Sequence, residues 1–244
     1  RGTSFDLLRR TPFGNTLTKD FGLAAILGEQ MGADSITDFL CLSFSSTDYV
    51  GHQYGPNAIE TEDTYIRLDR DMADLLTFLD NRIGKGKYLV YLTADHACME
   101  NPKHMMDHKI HAGFVPSAGI EDSLRSLLNR TYGHPEYIRC FINDQVYLHE
   151  DKILADKNDI CAIEATIARY AKDHIQGVYL GLTSCDLETE SYDDMIRQRI
   201  QNGHFHGRSG NVWLVYAPGW TERLYGGDGT QGTTHGSPYA YDAH

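Results

Sequence analysis

Three short segments of the sequence carry side chains that bind divalent metals: Asp48 and His52 in SSTDYVGH, Asp95 and His96 in LTADH, and His235 in GTTHGSP. Two carboxylates and three imidazoles are hard, charge-balancing ligands for a pair of divalent ions. That donor set is the chemistry of two-metal phosphate-ester hydrolysis. A carboxylate and an imidazole four residues apart can face one ion from a single turn of helix or a tight loop, although a DxxxH spacing alone is a weak signal. Adjacent Asp95 and His96 leave an apolar run pointing in opposite directions, so each can serve a different metal of a pair about 3.5–4 Å apart. His235 can complete the shell around Asp48 and His52. Taken singly, Asp48 reads equally well as a turn cap and His235 as an exposed loop residue. Their joint appearance at three strand ends favours metal.

Other groups have simpler explanations. His104, His108 and His111 lie in a polar stretch, and His204 and His206 stand beside Gly203 and Gly207; both sets read as surface or local packing features. The run Gly84-Lys85-Gly86-Lys87 lacks phosphate-loop spacing and reads as a helix-stop turn. Ser45 and Ser46 have no GxSxG elbow around them.

The elements that position these groups follow from periodicity. TPFGNTLT supplies turn residues and DFGLAAILGEQMG a helix. Phe39–Phe44 and Tyr88–Thr93 are short apolar runs of the kind that form buried parallel strands. Between them Ile59, Ile66, Met72, Leu75, Leu76 and Leu79 recur at helical spacing, with Asn57 and Glu60 placed as a capping box and Gly84 as the stop. Strand, helix, strand with ligands at the strand ends is a βαβ unit, where sites form beyond the carboxyl ends of parallel strands. From Val115 to Asp186 the order changes to helix, hairpin, helix, strand (Ile120–Asn129, Tyr137–Ile142 with Gln145–His149, Ile160–His174, Val178–Thr183). This predicts an inserted α+β cap subdomain at 115–186, with the core drawn from 1–114 and 187–244. NVWLVYAP (Asn211–Pro218) then returns the chain to the main sheet, and the turn holding Gly226, Gly227, Gly229, Gly232 and Gly236 delivers His235.

A net charge of −12, from 34 acidic and 22 basic residues, argues against non-specific binding to nucleic acid or anionic membrane. Five cysteines without CxxC spacing read as buried thiols with at most one or two disulfides. No run approaches eighteen apolar residues, and Arg1 reads as an internal position of a longer polypeptide.

FSSTDYVGHQYGPN, LDRDMADLLTFLD, YLTADH and GTTHGSPYAYD, with TPFGNTLTKDF near the start, resemble the alkaline phosphatase superfamily. Within it, the similarity is to the type I phosphodiesterase/nucleotide pyrophosphatase branch and the threonine-nucleophile monoesterase alkaline phosphatases. The resemblance implies an alkaline phosphatase-like doubly wound α/β sheet, of which this chain is the C-terminal portion. It implies one zinc held by Asp48, His52 and His235, and a second held in part by Asp95 and His96. An early aspartate and the nucleophilic threonine would complete the second shell, and neither has a counterpart in Arg1–Ser45. Ala97 and Cys98 stand where relatives often continue with glycine. The implied activity is zinc-dependent hydrolysis of a small phosphate monoester through a covalent phospho-enzyme, in a periplasmic or exported protein, with this chain inactive alone. Phosphodiester or nucleotide pyrophosphate hydrolysis is the nearest alternative, and a non-catalytic metal-binding or interaction domain is the alternative of another class. Oligomeric state is not legible.

Overall fold

The computed structural model describes residues 5–115, 118–222 and 232–242. The fold is mixed α/β, with both parallel and antiparallel strand pairs. The described residues fall into two compact units, one drawn from 1–101 with 225–234 and the other from 102–224 with 235–244.

The first unit is built on α1 (Phe13–Gly28), α2 (Ser46–Tyr54) and α3 (Ile59–Leu79). Helix α1 starts within TPFGNTLT, earlier than the turn residues imply. Pro12 stands just ahead of it with φ −59°, already helical, where its missing N–H has no intrahelical partner to lose. Helix α3 follows its apolar repeat, but the expected Asn57 cap does not form. Ala58 is the N-cap without a side-chain bond, and the Asn57 amide donates to the Glu100 carboxylate instead. A charged acceptor makes the stronger hydrogen bond. Beyond α3 a π-type turn, Asp80–Gly84, ends at Gly84 with φ +110°, a conformation that favours glycine.

Phe39–Phe44 and Tyr88–Thr93 differ from the sequence reading. Neither forms a strand, and among the described residues neither has a ladder partner. Phe39 is 88% and Leu89 96% exposed. Apolar alternation records what a segment is suited to bury, whereas a ladder needs a second segment beside it.

The second unit begins with α4 (Pro102–Asp107), β1 (Gly113–Val115), α5 (Ile120–Tyr132), β2 (Ile138–Ile142), β3 (Gln145–Leu148) and α6 (Glu150–Ala155). It continues through α7 (Ile160–His174), β4 (Val178–Thr183), α8 (Ser184–Thr189), α9 (Met195–Gly203), β5 (Val212–Tyr216) and β6 (Trp220–Glu222). Strands β2 and β3 are joined at Asn143 and Asp144, both at positive φ (50° and 61°), as a two-residue primed turn requires. The sheet order is β2-β3-β5-β4, all antiparallel, while β1 and β6 form a separate parallel pair.

Strand β5 therefore does not return to a sheet in the first unit, as NVWLVYAP implies. It fills the gap between β3 and β4, so residues 115–186 lack a complete sheet without it. The physical reason is a shared core: Val212 and Leu214 are buried with Val146 of β3, Leu124 and Leu128 of α5, and Ile163 and Ile167 of α7.

Cys161 and Cys185 form a disulfide that ties α7 to α8, with Cα atoms 5.8 Å apart. The other thiols are not the buried groups expected: Cys41 is exposed, and Cys98 and Cys140 are half-buried. Beside the disulfide, the fully buried Glu164 carboxylate accepts from Ser184 Oγ at 2.7 Å, Cys185 N at 3.1 Å and Asn211 Nδ2 at 3.0 Å. Three donors meet the cost of burying that group. Among the described residues no helix is long and apolar enough to cross a membrane.

Candidate metal centre

Helix α2 carries Asp48 in its first turn and His52 in its last. Its start is fixed by Asn15 of α1, a side chain only 1% exposed. The Asn15 carbonyl accepts from Ser46 N at 3.2 Å, and its amide donates to Thr47 Oγ1 at 3.0 Å. Those two bonds satisfy an otherwise orphaned helix N–H and set the direction in which Asp48 leaves the chain. Gly14 allows this approach, since a Cβ there would lie 2.1 Å from Ser46 Oγ. At the other end, Val50 is buried and Gly55 closes the helix at φ +100°.

The i,i+4 spacing brings His52 Nε2 to 3.4 Å from Asp48 Oδ2. His52 Nδ1 lies 2.9 Å from the carbonyl of Thr233. A carbonyl only accepts, so Nδ1 donates there and Nε2 is the ring nitrogen turned towards Asp48. Thr233 is held in turn: its N–H donates to the His52 carbonyl at 3.0 Å and its hydroxyl to the Met99 carbonyl at 2.6 Å.

His96 repeats the arrangement. Its Nδ1 lies 2.8 Å from the Ala97 carbonyl, which places the proton there by the same argument. Its Nε2 is 3.9 Å from Asp48 Oδ1 and 3.7 Å from Asp95 Oδ2. Each oxygen of Asp48 thus faces the Nε2 of a different imidazole. An imidazole that donates one N–H to a backbone carbonyl and turns its other nitrogen towards a carboxylate has the orientation of a metal ligand. The donor set fits a divalent cation by this test.

Four of the five residues singled out in the sequence, Asp48, His52, Asp95 and His96, therefore stand close together within the first unit. Asp95 is the loosest, with its side chain 91% exposed. His235 belongs to the second unit and follows directly on Thr234, whose carbonyl accepts from Met99 N at 3.3 Å. Gly226, Gly227 and Gly229 of the expected glycine-rich turn lie outside the described residues. What the sequence did not reveal is Asn15, Thr233 and the Ala97 carbonyl. Backbone acceptors leave no trace in residue types, and Asn15 carries no spacing signal.

Mixed α/β architecture with a carboxylate and imidazole cluster of this kind is an arrangement found among hydrolases. Residues 8–238 match the family described as type I phosphodiesterase/nucleotide pyrophosphatase, and the chain belongs to that family of hydrolases. It is 39% identical to alkaline phosphatase PafA of Elizabethkingia meningoseptica over 239 residues, 98% of this chain and 42% of the relative. A protein of Myroides odoratus named calcium-transporting ATPase is 40% identical over 242 residues, 98% of this chain and 43% of the relative. The crystal structure of wild-type alkaline phosphatase PafA superposes with a TM-score of 0.88 at 38% identity, covering 98% of this chain and 44% of that one. The fold is that of this alkaline phosphatase, and the chain spans less than half the length of these relatives.

Proposed function

We propose that this chain supplies five ligands to a two-zinc centre of a phosphate monoester hydrolase: Asp48, His52 and His235 for one ion, and Asp95 and His96 for the other. The observation that carries this is the pair of ring orientations: His52 and His96 each place Nδ1 on a backbone carbonyl and turn Nε2 to one Asp48 carboxylate. Family membership and similarity to a named alkaline phosphatase support it. Thr233, bonded to His52, leads within two residues to His235, which gives the first ion its third protein ligand.

When bound, zinc lowers the pKa of a hydroxyl or water and stabilises charge on the phosphoryl oxygens. The chain's own groups hold the donors in register: Asn15 anchors α2, Asp48 supplies the negative charge between two imidazoles, and the carbonyls of Thr233 and Ala97 prevent ring rotation. Hydrolysis through a covalent phosphothreonine calls for a hydroxyl nucleophile, and no residue of this chain is assigned to that role. The α+β region at 115–186 contributes no metal ligand and serves as a cap. The Cys161–Cys185 disulfide favours an oxidising, periplasmic or exported setting.

The substrate class is tested on the whole protein loaded with zinc, by comparing an aryl phosphate monoester with the matching diester. The monoester should have the higher kcat/KM by at least about tenfold, equivalent to about 1.4 kcal/mol of transition-state preference. A preference for the diester would replace this proposal with the phosphodiesterase one. No turnover of either, with zinc bound, would favour a non-catalytic metal-binding domain.

A further inference from the structure

Far along the chain from Asp48, and wholly within the second unit, two imidazoles meet a single carboxylate oxygen. His204 Nε2 lies 3.1 Å from Glu188 Oε1, and His206 Nδ1 lies 2.8 Å from the same atom. We infer that Glu188, His204 and His206 form a second, independent site for a borderline divalent cation such as zinc, cobalt(II) or nickel(II).

The backbone prepares this meeting. His204 ends α9 with φ −74° and ψ 135°, an extended conformation. In extended backbone, side chains two residues apart leave on the same side, so an His-x-His pair can present both rings to one point. The chain is then turned back by Gly207 at φ +74°. Phe205 N donates to Ser209 Oγ at 2.9 Å and Ser209 N to the Phe205 carbonyl at 2.9 Å, which close the loop on itself.

Glu188 comes from the opposite wall, on α8. The two walls are fastened by Gln201 of α9, whose amide donates to the Leu187 carbonyl at 2.7 Å and the Glu190 carbonyl at 2.9 Å. Leu187 and Ile200 pack behind them with Leu182 and Val215. Helix α8 is further tied by the Cys185 disulfide. Two of the three donors are thus carried by fixed elements, as a binding site requires.

The side chains divide the labour. That of His204 is 6% exposed and that of Glu188 37%, so they form the seated part of the site. His206 is 84% exposed and can move. The present nitrogen to oxygen separations are those of hydrogen bonds. A cation bound at about 2.0–2.2 Å from each donor replaces these direct contacts, and the exposed His206 ring is the donor that must move to reach it. The His206 hydrogen bond, and then that of His204, hold the Glu188 carboxyl below its ordinary range, while Glu188 raises His206, so a cation that binds here displaces a proton from that ring. Two imidazoles with one carboxylate select zinc and its neighbours over calcium or magnesium, which prefer all-oxygen shells. His204 Nδ1 is buried without a hydrogen-bond partner among the described residues. The His204 ring is therefore held through Nε2 alone, the nitrogen that a cation would take. The consequence of binding is a clip between α8 and the loop leading to β5.

The test titrates cobalt(II) into the full chain, counting equivalents by calorimetry and following the cobalt absorption bands. It compares the wild type with Glu188→Gln, His206→Ala and the variant Asp48→Ala/His96→Ala. Wild type should bind one equivalent more than Glu188→Gln, and His206→Ala should weaken that equivalent by at least about tenfold, since even supporting residues of metal sites cost 10–100-fold. The Asp48→Ala/His96→Ala variant should keep it, and zinc should still shift the ring proton resonances of His204 and His206 there. Both Glu188 and His206 have accessible side chains, and unchanged circular dichroism verifies that their variants fold. Equal stoichiometry and tightness in wild type, Glu188→Gln and His206→Ala would overturn the site, as would ring resonances unmoved by zinc. Loss of binding only in the Asp48→Ala/His96→Ala variant would leave the centre on α2 as the sole site and also overturn it.

Discussion

Replacing Asp48 by alanine should remove zinc from the centre on α2 and lower phosphomonoester hydrolysis by the whole protein by roughly three decades. That size follows from the several kcal/mol a catalytic metal contributes, at about 1.4 kcal/mol per tenfold in rate. The expectation rests on Asp48 facing two imidazoles at once, 3.4 Å from His52 Nε2 and 3.9 Å from His96 Nε2. Without it, the two rings keep their orientation on the Thr233 and Ala97 carbonyls but no anion lies between them. A merely structural role would look different. A carboxylate in the first turn of a helix contributes about 0.3–1 kcal/mol through the helix dipole, which alters stability and leaves metal content unchanged. Asp63, paired with Arg67 at 2.8 Å on an open helical face, is the matched control, and its replacement by asparagine should change neither zinc content nor rate. Metal analysis after dialysis, with an aryl phosphate assay on the same samples, separates these outcomes. Full zinc occupancy in Asp48→Ala would show that the carboxylate is no ligand.

Expressed alone, the 244 residues should bind zinc and yet hydrolyse aryl phosphates at background, while the whole protein turns over. The proposed set of Asp48, His52 and His235 would give one ion three protein ligands, enough for an open site. Asp95 and His96 give the second ion only two. Covalent catalysis needs a positioned hydroxyl within hydrogen-bond reach of the group that activates it, and none here is assigned that role. Its lack removes the chemical step itself. Robust turnover by the chain alone, abolished by Asp95→Ala, would place a nucleophile inside these residues. Ser46 and Thr47, which precede Asp48 on α2, would then be the first to substitute.

The clustering of Asp48, His52, Asp95 and His96 was legible because residue type and short spacing carry it. Asp48 and His52 lie one helical turn apart, and the Asp95-His96 pair needs no long-range information. Helices α3 and α7 and strand β4 were likewise legible through local apolar periodicity, although the cap read for α3 at Asn57 does not form and the Asp159 side chain that caps α7, bonding Cys161 N and Ala162 N, was not singled out. What failed was non-local. Phe39–Phe44 and Tyr88–Thr93 have strand-like composition but no ladder partner among the described residues, and composition cannot supply one. Val212–Tyr216 has the pattern of a buried strand, yet nothing in its residues states which sheet receives it; Val146 and Leu182, far apart in sequence, flank it. His204 and His206 read as packing features because their partner Glu188 lies 16 and 18 residues upstream, across the gap between two helices.

The central claim, that Asp48 and its imidazoles hold zinc, is tested most directly by anomalous diffraction at the zinc edge from crystals of the zinc-loaded protein. The account predicts a peak about 2.0–2.2 Å from Asp48 and from His52 Nε2, with His52 Nδ1 still on the Thr233 carbonyl. It predicts a second peak beside Asp95 and His96, about 3.5–4 Å from the first. Zinc absent from both positions in the loaded crystal, or His52 turned so that Nδ1 no longer faces Thr233, would contradict it.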